Sequence, residues 1–174
     1  MASSRDNLRL RPLRVEDEAE ARAAHEELAA DGFTFLLDWD PAAPWTEYIN
    51  MLERRRRGLD LPDDRVRAAF LVAEVERDVV GRVSIRFALN DYLADTGGHV
   101  GYGVRPAHRR RGFAREMLRQ SLVIIRAEGI DRVLVTCDDD NVGSAAVIAA
   151  NGGVYEDTRR DRFGGPDKRR FWIG

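Results

Sequence analysis

The sequence is short of several reagents that common chemistries require. Among its 174 residues there is one cysteine, Cys137, and there are three histidines. A single thiol makes neither an internal disulfide nor a structural zinc site, so no metal is expected and the fold must rest on packing. Cys137 follows an apolar strand and has no readable histidine partner, which suits a small core residue better than a nucleophile. Lys168 is the one lysine, and no Gly-x-x-x-x-Gly-Lys-Ser/Thr occurs, so a P-loop nucleotidase is excluded; the Rossmann fingerprint is missing as well. No apolar run approaches the roughly 18 residues that span a bilayer. The opening Met1-Ala2-Ser3-Ser4-Arg5-Asp6 lacks the apolar stretch of a secretory signal, and a cytoplasmic protein with no membrane partner is expected. With no repeat, low-complexity tract or Gly/Ser/Pro linker, one domain over residues 1–174 is expected.

What is present is a hydrophobic content of 44% under a charged content of 33%, enough for one packed core. Leu8 to Arg14 alternates apolar and basic residues as a strand, and Asp17 to Ala30 reads as a helix stopped by Asp31-Gly32. After the aromatic connection Phe33 to Asp40, Pro44 opens a second helix that ends at Gly58. Ala68 to Glu76 and Val79 to Asn90 flank Arg77-Asp78 as an antiparallel hairpin, and Gly98 to Val104 is a third strand beyond the loop Asp91 to Gly97. Arg109 to Glu128 places Ala114, Met117, Leu118, Leu122 and Ile125 at helical spacing before Gly129. Asp131 to Cys137 is a strand, Asn141 to Asn151 a helix, and Val154 to Arg159 with Lys168 to Ile173 a last pair of strands. The order β, α, α, β, β, β, α, β, α, β, β argues for an α/β fold with a mixed sheet and helices on its faces.

The formal net charge of -2 gives no general reason to expect nucleic acid as a partner. Locally, however, Arg105, Arg109, Arg110, Arg111 and Arg115 occur with no acidic residue until Glu116. They surround the end of a strand and the start of a long helix, in Gly101-Tyr102-Gly103-Val104-Arg105-Pro106-Ala107-His108-Arg109-Arg110-Arg111-Gly112-Phe113-Ala114. The first N–H groups of a helix lack carbonyl partners and sit at the positive end of its dipole, and small residues let an anion approach the backbone. A pyrophosphate suits this passage, although a solvated basic helix start would have the same composition.

At these residues the sequence resembles the GCN5-related N-acetyltransferase (GNAT) family, whose acetyl-CoA loop reads Gln/Arg-x-x-Gly-x-Gly/Ala. The family's following Asn at a helix start is matched by Asn141 within Thr136-Cys137-Asp138-Asp139-Asp140-Asn141-Val142-Gly143-Ser144, and its later Gly-Phe by Gly152-Gly153-Val154. The closing Arg169-Arg170-Phe171-Trp172-Ile173 is similar to a bacterial subgroup of unknown acceptor. The resemblance runs from about Leu8 to Ile173. It implies about seven strands with helices on both faces and a splay between the two central parallel strands. It implies acetyl-CoA as co-substrate, a small-molecule or peptide amine as acceptor, and a homodimer, for which strands at the sheet ends and the Phe171-Trp172 strand offer edges. Tyr102, Gly103 and Val104 are implied to hold the pantetheine arm, with the Val104 N–H polarising the thioester carbonyl. Arg109, Arg110, Arg111, Gly112, Phe113 and Ala114 are implied to hold the pyrophosphate, and Asn141 and Ser144 to face the arm, a role compatible with capping their helix.

Two positions depart from the family. The tyrosine that protonates the leaving thiolate in many members corresponds to Ile148, and the strand positions that share a face with Tyr102 are Gly98 and Val100, neither of which titrates. His99 should point the other way, so the catalytic residues stay unknown. Arg54 to Arg57 reads as a solvated helix end. Asp38, Asp40 and Asp138 to Asp140 would attract a cationic acceptor, whereas Arg82 and Arg86, alternating on one strand, would favour an acidic one. A direct acetyl transfer to a primary amine, a non-catalytic acyl-CoA sensor and, last, an RNA-binding module are the three readings the residues allow.

Overall fold

The computed structural model describes residues 7–174; the Met1 to Asp6 segment behind the leader expectation lies outside them. The elements are β1 (Arg9–Pro12), α1 (Glu18–Ala29), α2 (Trp45–Arg56), β2 (Ala68–Val75), β3 (Asp78–Arg86), β4 (Val100–Val104), α3 (Phe113–Ala127), β5 (Val133–Asp138), α4 (Val142–Ala150), β6 (Val154–Arg159) and β7 (Lys168–Ile173). They form one sheet in the order β1-β2-β3-β4-β5-β7-β6. Every neighbouring pair is antiparallel except β4 with β5. The mixed α/β sheet of seven strands agrees with the sequence reading. One expectation fails: the Phe171-Trp172 strand is no edge. The chain reverses after β6, and β7 inserts between β5 and β6, so β6 is the outer strand on that side.

Side-chain alternation along the strands builds two cores. Ala69, Leu71 and Ala73 of β2 and Val83 and Ile85 of β3 face α3, whose Met117, Leu118, Leu122 and Ile125 are buried against them. Phe70 and Val72 face the other way, against Ala21, Ala24 and Leu28 of α1 and Trp45 and Tyr48 of α2. Helices therefore cover both faces. The third strand of the reading starts later than expected, at Val100, because Gly98 takes a left-handed φ of 67° that kinks the chain into it. The long helix starts at Phe113 rather than Arg109, because Arg110 (φ 60°) and Gly112 (φ 82°) hold the preceding segment in a left-handed loop.

The two parallel strands part almost as soon as they meet. Val100 opposite Val135 is the single pair between β4 and β5. Just before it, His99 N donates to Leu134 O at 2.7 Å, and the Leu134 N–H donates to the His99 imidazole Nδ1 at 2.9 Å. On its other side β4 is fully paired: Arg86 N donates to His99 O, and Arg105 N donates to Val80 O. Backbone polar groups alternate sides in an antiparallel strand, so those of Gly101 and Gly103 also belong to β3, and those of Tyr102 and Val104 point into the gap.

His99 is thus the bolt at the branch point, with its side chain committed to the β5 backbone. Burial holds its pKa below the ordinary 6.5, helped by the Arg86 charge. An unfolded chain takes up that proton below about pH 6.5 while the folded one resists, so stability is full above 6.5 and falls as the pH drops toward the depressed folded value. His99→Ala should leave the Leu134 N–H unsatisfied, cost about 1–3 kcal/mol in urea unfolding at neutral pH, and flatten the stability loss between about pH 7 and pH 5.5. A loss under about 0.5 kcal/mol would contradict this account.

Candidate functional site

The gap opens into a cleft of about 870 Å³ that runs from Tyr102 and Ser144 to the start of α3. At its far end the loop carries Arg110 and Gly112 at left-handed φ, the kind of backbone from which anion nests are built. The free N–H groups of the 15-residue helix α3 add to it. Tyr102, Gly103, Val104, Arg109, Arg110, Gly112, Phe113, Ala114, Asn141 and Ser144 all line the cleft. Arg111 stands apart, its guanidinium 5.0 Å over the Phe113 ring.

The basic cluster sorts by which carboxylates face it. Arg105 donates to Glu27 at 2.6 and 2.9 Å and to Glu20 at 3.1 Å, a framework role. Arg109 reaches back from the loop, donating to Val104 O at 3.1 Å and to Asp31 at 2.6 Å, and so ties the loop to the end of α1. Arg110 and Arg115 form no ion pair among the described residues and line the cleft. Arg115 belongs to the basic cluster already evident in the sequence, whereas His108 was not singled out there; its Nδ1 is buried, lines the cleft and has no hydrogen-bond partner among the described residues. Phe33 roofs the near end: a methyl group on Gly103 would lie 2.5 Å from its ring.

At the inner end, Asn141 Oδ1 accepts from Ser144 N at 2.9 Å and caps α4, as its composition suggests. The Tyr102 and Ser144 hydroxyls are 2.7 Å apart. Burial pushes the Tyr102 phenol up to about 12, against the pull of Ser144, so it holds its proton at neutral pH. Ile148 is fully buried in the core and offers nothing to the cleft. Burial also raises the Cys137 thiol, which therefore stays protonated as a core residue.

On the α1/α2 face, β4 presents only Gly101 and Gly103. Arg82, expected to face an acceptor, is built into the framework instead. It donates to Thr34 O at 2.5 Å and Phe35 O at 3.1 Å, and its guanidinium lies 4.3 Å from the Phe33 ring centre. Burial lowers it to about 9, which leaves it a cation at neutral pH. The Leu93–Gly97 turn is held by Asp95 to Arg159 and Arg162 and by Tyr92 edge-on to Phe163 at 5.8 Å. Asp38 is no open lure for a cation, since Arg55 and Arg65 both donate to it, and Asp40 caps the Ala42 N–H. Arg54 and Arg56 pair with Asp60 and Glu53 at the surface, as a solvated helix end does. Among the described residues no cluster of His, Cys, Asp or Glu could hold a metal, and no helix is long and apolar enough to cross a membrane.

The profile of an acetyltransferase (GNAT) domain matches residues 7–154. No curated protein matches the chain. Among solved structures, RimJ of Mycobacterium smegmatis, in complex with CoA-disulfide, is 21% identical with a TM-score of 0.68, over 95% of this chain and 81% of that one. The ribosomal-protein-S5-alanine acetyltransferase of Vibrio fischeri is 18% identical with a TM-score of 0.68, over 95% and 92%. The yncA protein of Salmonella typhimurium, solved with its cofactor acetyl-CoA, is 18% identical with a TM-score of 0.64, over 96% and 93%. Likeness at these identities is likeness of fold.

The nest can be tested by charge. Any side chain at Gly112 is strained at its φ of 82° by about 1–2 kcal/mol, so Gly112→Ala sets the baseline. Gly112→Glu should weaken acetyl-CoA binding at least about tenfold beyond that baseline, since it adds a carboxylate where an anion belongs. Arg109→Ala should be milder, because the backbone donors remain. Equal affinities for the Ala and Glu variants in calorimetry would remove the loop from the site.

Proposed function

Because the chain belongs to the GNAT acetyltransferase family, we propose that it transfers an acetyl group from acetyl-CoA directly to a primary amine. The observation that carries this reading is the gap itself: the backbone of Tyr102 and Val104, unpaired by β5, faces a cleft that ends in an anion nest. Bound acetyl-CoA would supply an activated thioester.

The residues divide the work along the cleft. The N–H groups around Gly112, with Arg110, Arg115 and the unpartnered His108 Nδ1, suit the phosphates. Tyr102 and Val104 offer the pantetheine arm the strand-like partner that β5 withholds. The Val104 N–H stands as hydrogen-bond donor to the carbonyl oxygen as charge grows there. The Tyr102 hydroxyl, linked to Ser144, holds a proton beside the departing sulfur and takes the place that Ile148 leaves empty.

No side chain acts as base. A primary amine with a pKa of about 10.4 is neutral in only about one molecule in a few thousand at pH 7. Desolvation between the Phe33 segment and the Leu93–Gly97 turn, with water as carrier, would favour the neutral form. A cytoplasmic location suits this co-substrate, and the outer strand β6, with exposed Val154 and Tyr155, is the edge that would pair in a homodimer. A monomeric mass at working concentration would refute that assembly.

Thiol release from acetyl-CoA with a panel of amines tests the transfer against the non-catalytic alternative, which predicts binding without release. The rate should rise with pH toward the acceptor's own pKa. Tyr102→Phe should lower kcat at least about tenfold while acetyl-CoA affinity holds within about twofold, and His99→Ala should keep at least about a tenth of kcat. A Tyr102→Phe variant with unchanged kcat would assign the proton to solvent.

A further inference from the structure

On the α1/α2 face of β3 stand Arg82, Ser84 and Arg86, and the fold uses the two arginines differently. Arg82 is enclosed by carbonyls and aromatic rings. Arg86, half-buried, forms no ion pair among the described residues, and its carbonyl contact, Nη1 to Gly97 O, is stretched to 3.5 Å. Its guanidinium lies across Gly101, where a methyl group would stand 3.2 Å from Nη1. Along this face of β4, then, Phe33 covers Gly103 and Arg86 covers Gly101, one strand repeat from the Tyr102 and Val104 groups that face the gap.

The surroundings do not neutralise this charge. The cations beside Arg86 are Arg82 and Arg65, the His99 imidazole is held neutral by burial, and the Tyr92 hydroxyl is the group of opposite tendency. Asp38 is already paired with Arg55 and Arg65, and Asp95 with Arg159 and Arg162. A half-buried guanidinium kept over Gly101 without an anion is unfavourable in the empty protein, and it becomes favourable once an anion arrives.

We propose that Arg86 selects the acceptor, and that the amine this chain acetylates carries a carboxylate that forms a two-pronged pair with the Arg86 guanidinium. The proposal deepens the acetyltransfer reading and rests on it. A polyamine is disfavoured at such a site, because its second ammonium would meet a like charge.

The test is calorimetric and needs no turnover. Matched ligands are glutamate with glutamine and β-alanine with β-alaninamide, with aminoethylphosphonate to separate phosphate-like anions and spermidine as the cationic extreme. Each is titrated into the CoA-loaded protein. The strongest ligand should be a carboxylate-bearing amine, at least about tenfold tighter than its amide. Arg86→Gln should erase that difference, and Arg86→Lys should retain part of it. Arg86→Met should raise the melting temperature, because it removes an unpaired charge, whereas Arg82→Met should lower it.

A best ligand that is an amide, a polyamine or the phosphonate would overturn the proposal. So would no carboxylate binding, a carboxylate preference that survives in Arg86→Gln, or a melting temperature that falls on Arg86→Met. Failure of the acetyltransfer reading would show separately, as loss of acetyl-CoA binding or of thiol release.

Discussion

The missing ladder between β4 and β5 is the constraint from which the rest of the site follows. Two parallel strands joined at Val100 and Val135 could have zipped together; instead they diverge, and the backbone of Tyr102 and Val104 is left without a strand partner. Unpaired main-chain groups away from water are unfavourable by an amount comparable to a lost hydrogen bond, so a gap of this kind persists only if something holds it open and something else can fill it. The buried core under α3 and the β3 ladder hold β4, the β7 ladder holds β5, and His99 fixes where they part. A ligand with amide groups along an extended arm is a natural filler.

Charge is distributed by partner rather than by count. The chain is rich in arginine, yet Arg105, Arg109 and Arg82 are engaged by Glu20, Glu27, Asp31 and main-chain carbonyls, which ties them to the framework. Near the gap, Arg110 and Arg115 beside the loop before α3 and Arg86 over Gly101 form no ion pair among the described residues. Two anion-seeking regions thus flank the place where a neutral amine must meet a carbonyl. That separation reconciles a net charge of -2 with sites that favour anions.

Much of this was legible in the residues. The hairpin of β2 and β3 was legible as two apolar, β-branched-rich runs about Arg77-Asp78, and the core face of α3 in the helical spacing of Met117, Leu118, Leu122 and Ile125, because burial on one helix face leaves a period in the sequence. The loop before α3 was legible through its resemblance to a family motif, since glycine and arginine at a helix start suit a solvated basic turn equally well. The interior position of β7 was not, since strand order depends on which edge a hairpin finds. Nor was the difference between Arg82 and Arg86, which share a face and a residue type. Only the fold shows that carbonyls of the Thr34 and Phe35 segment reach one and not the other. The pairing of Tyr102 with Ser144 joins residues distant in sequence, and the only signal was that both stood in motifs assigned to the same cleft.

The central claim is that the Tyr102 and Val104 amides are a vacant strand edge that acetyl-CoA completes. Amide hydrogen exchange read residue by residue tests it most directly. In the free protein Gly101 and Gly103, bonded to β3, should already be protected, while Tyr102 and Val104 exchange faster. On addition of acetyl-CoA, exchange at Tyr102 and Val104 should slow by at least about tenfold, the equivalent of about 1.4 kcal/mol of added protection. Rates at these two amides that do not change on saturation, or that are slow before any ligand is added, would contradict the account.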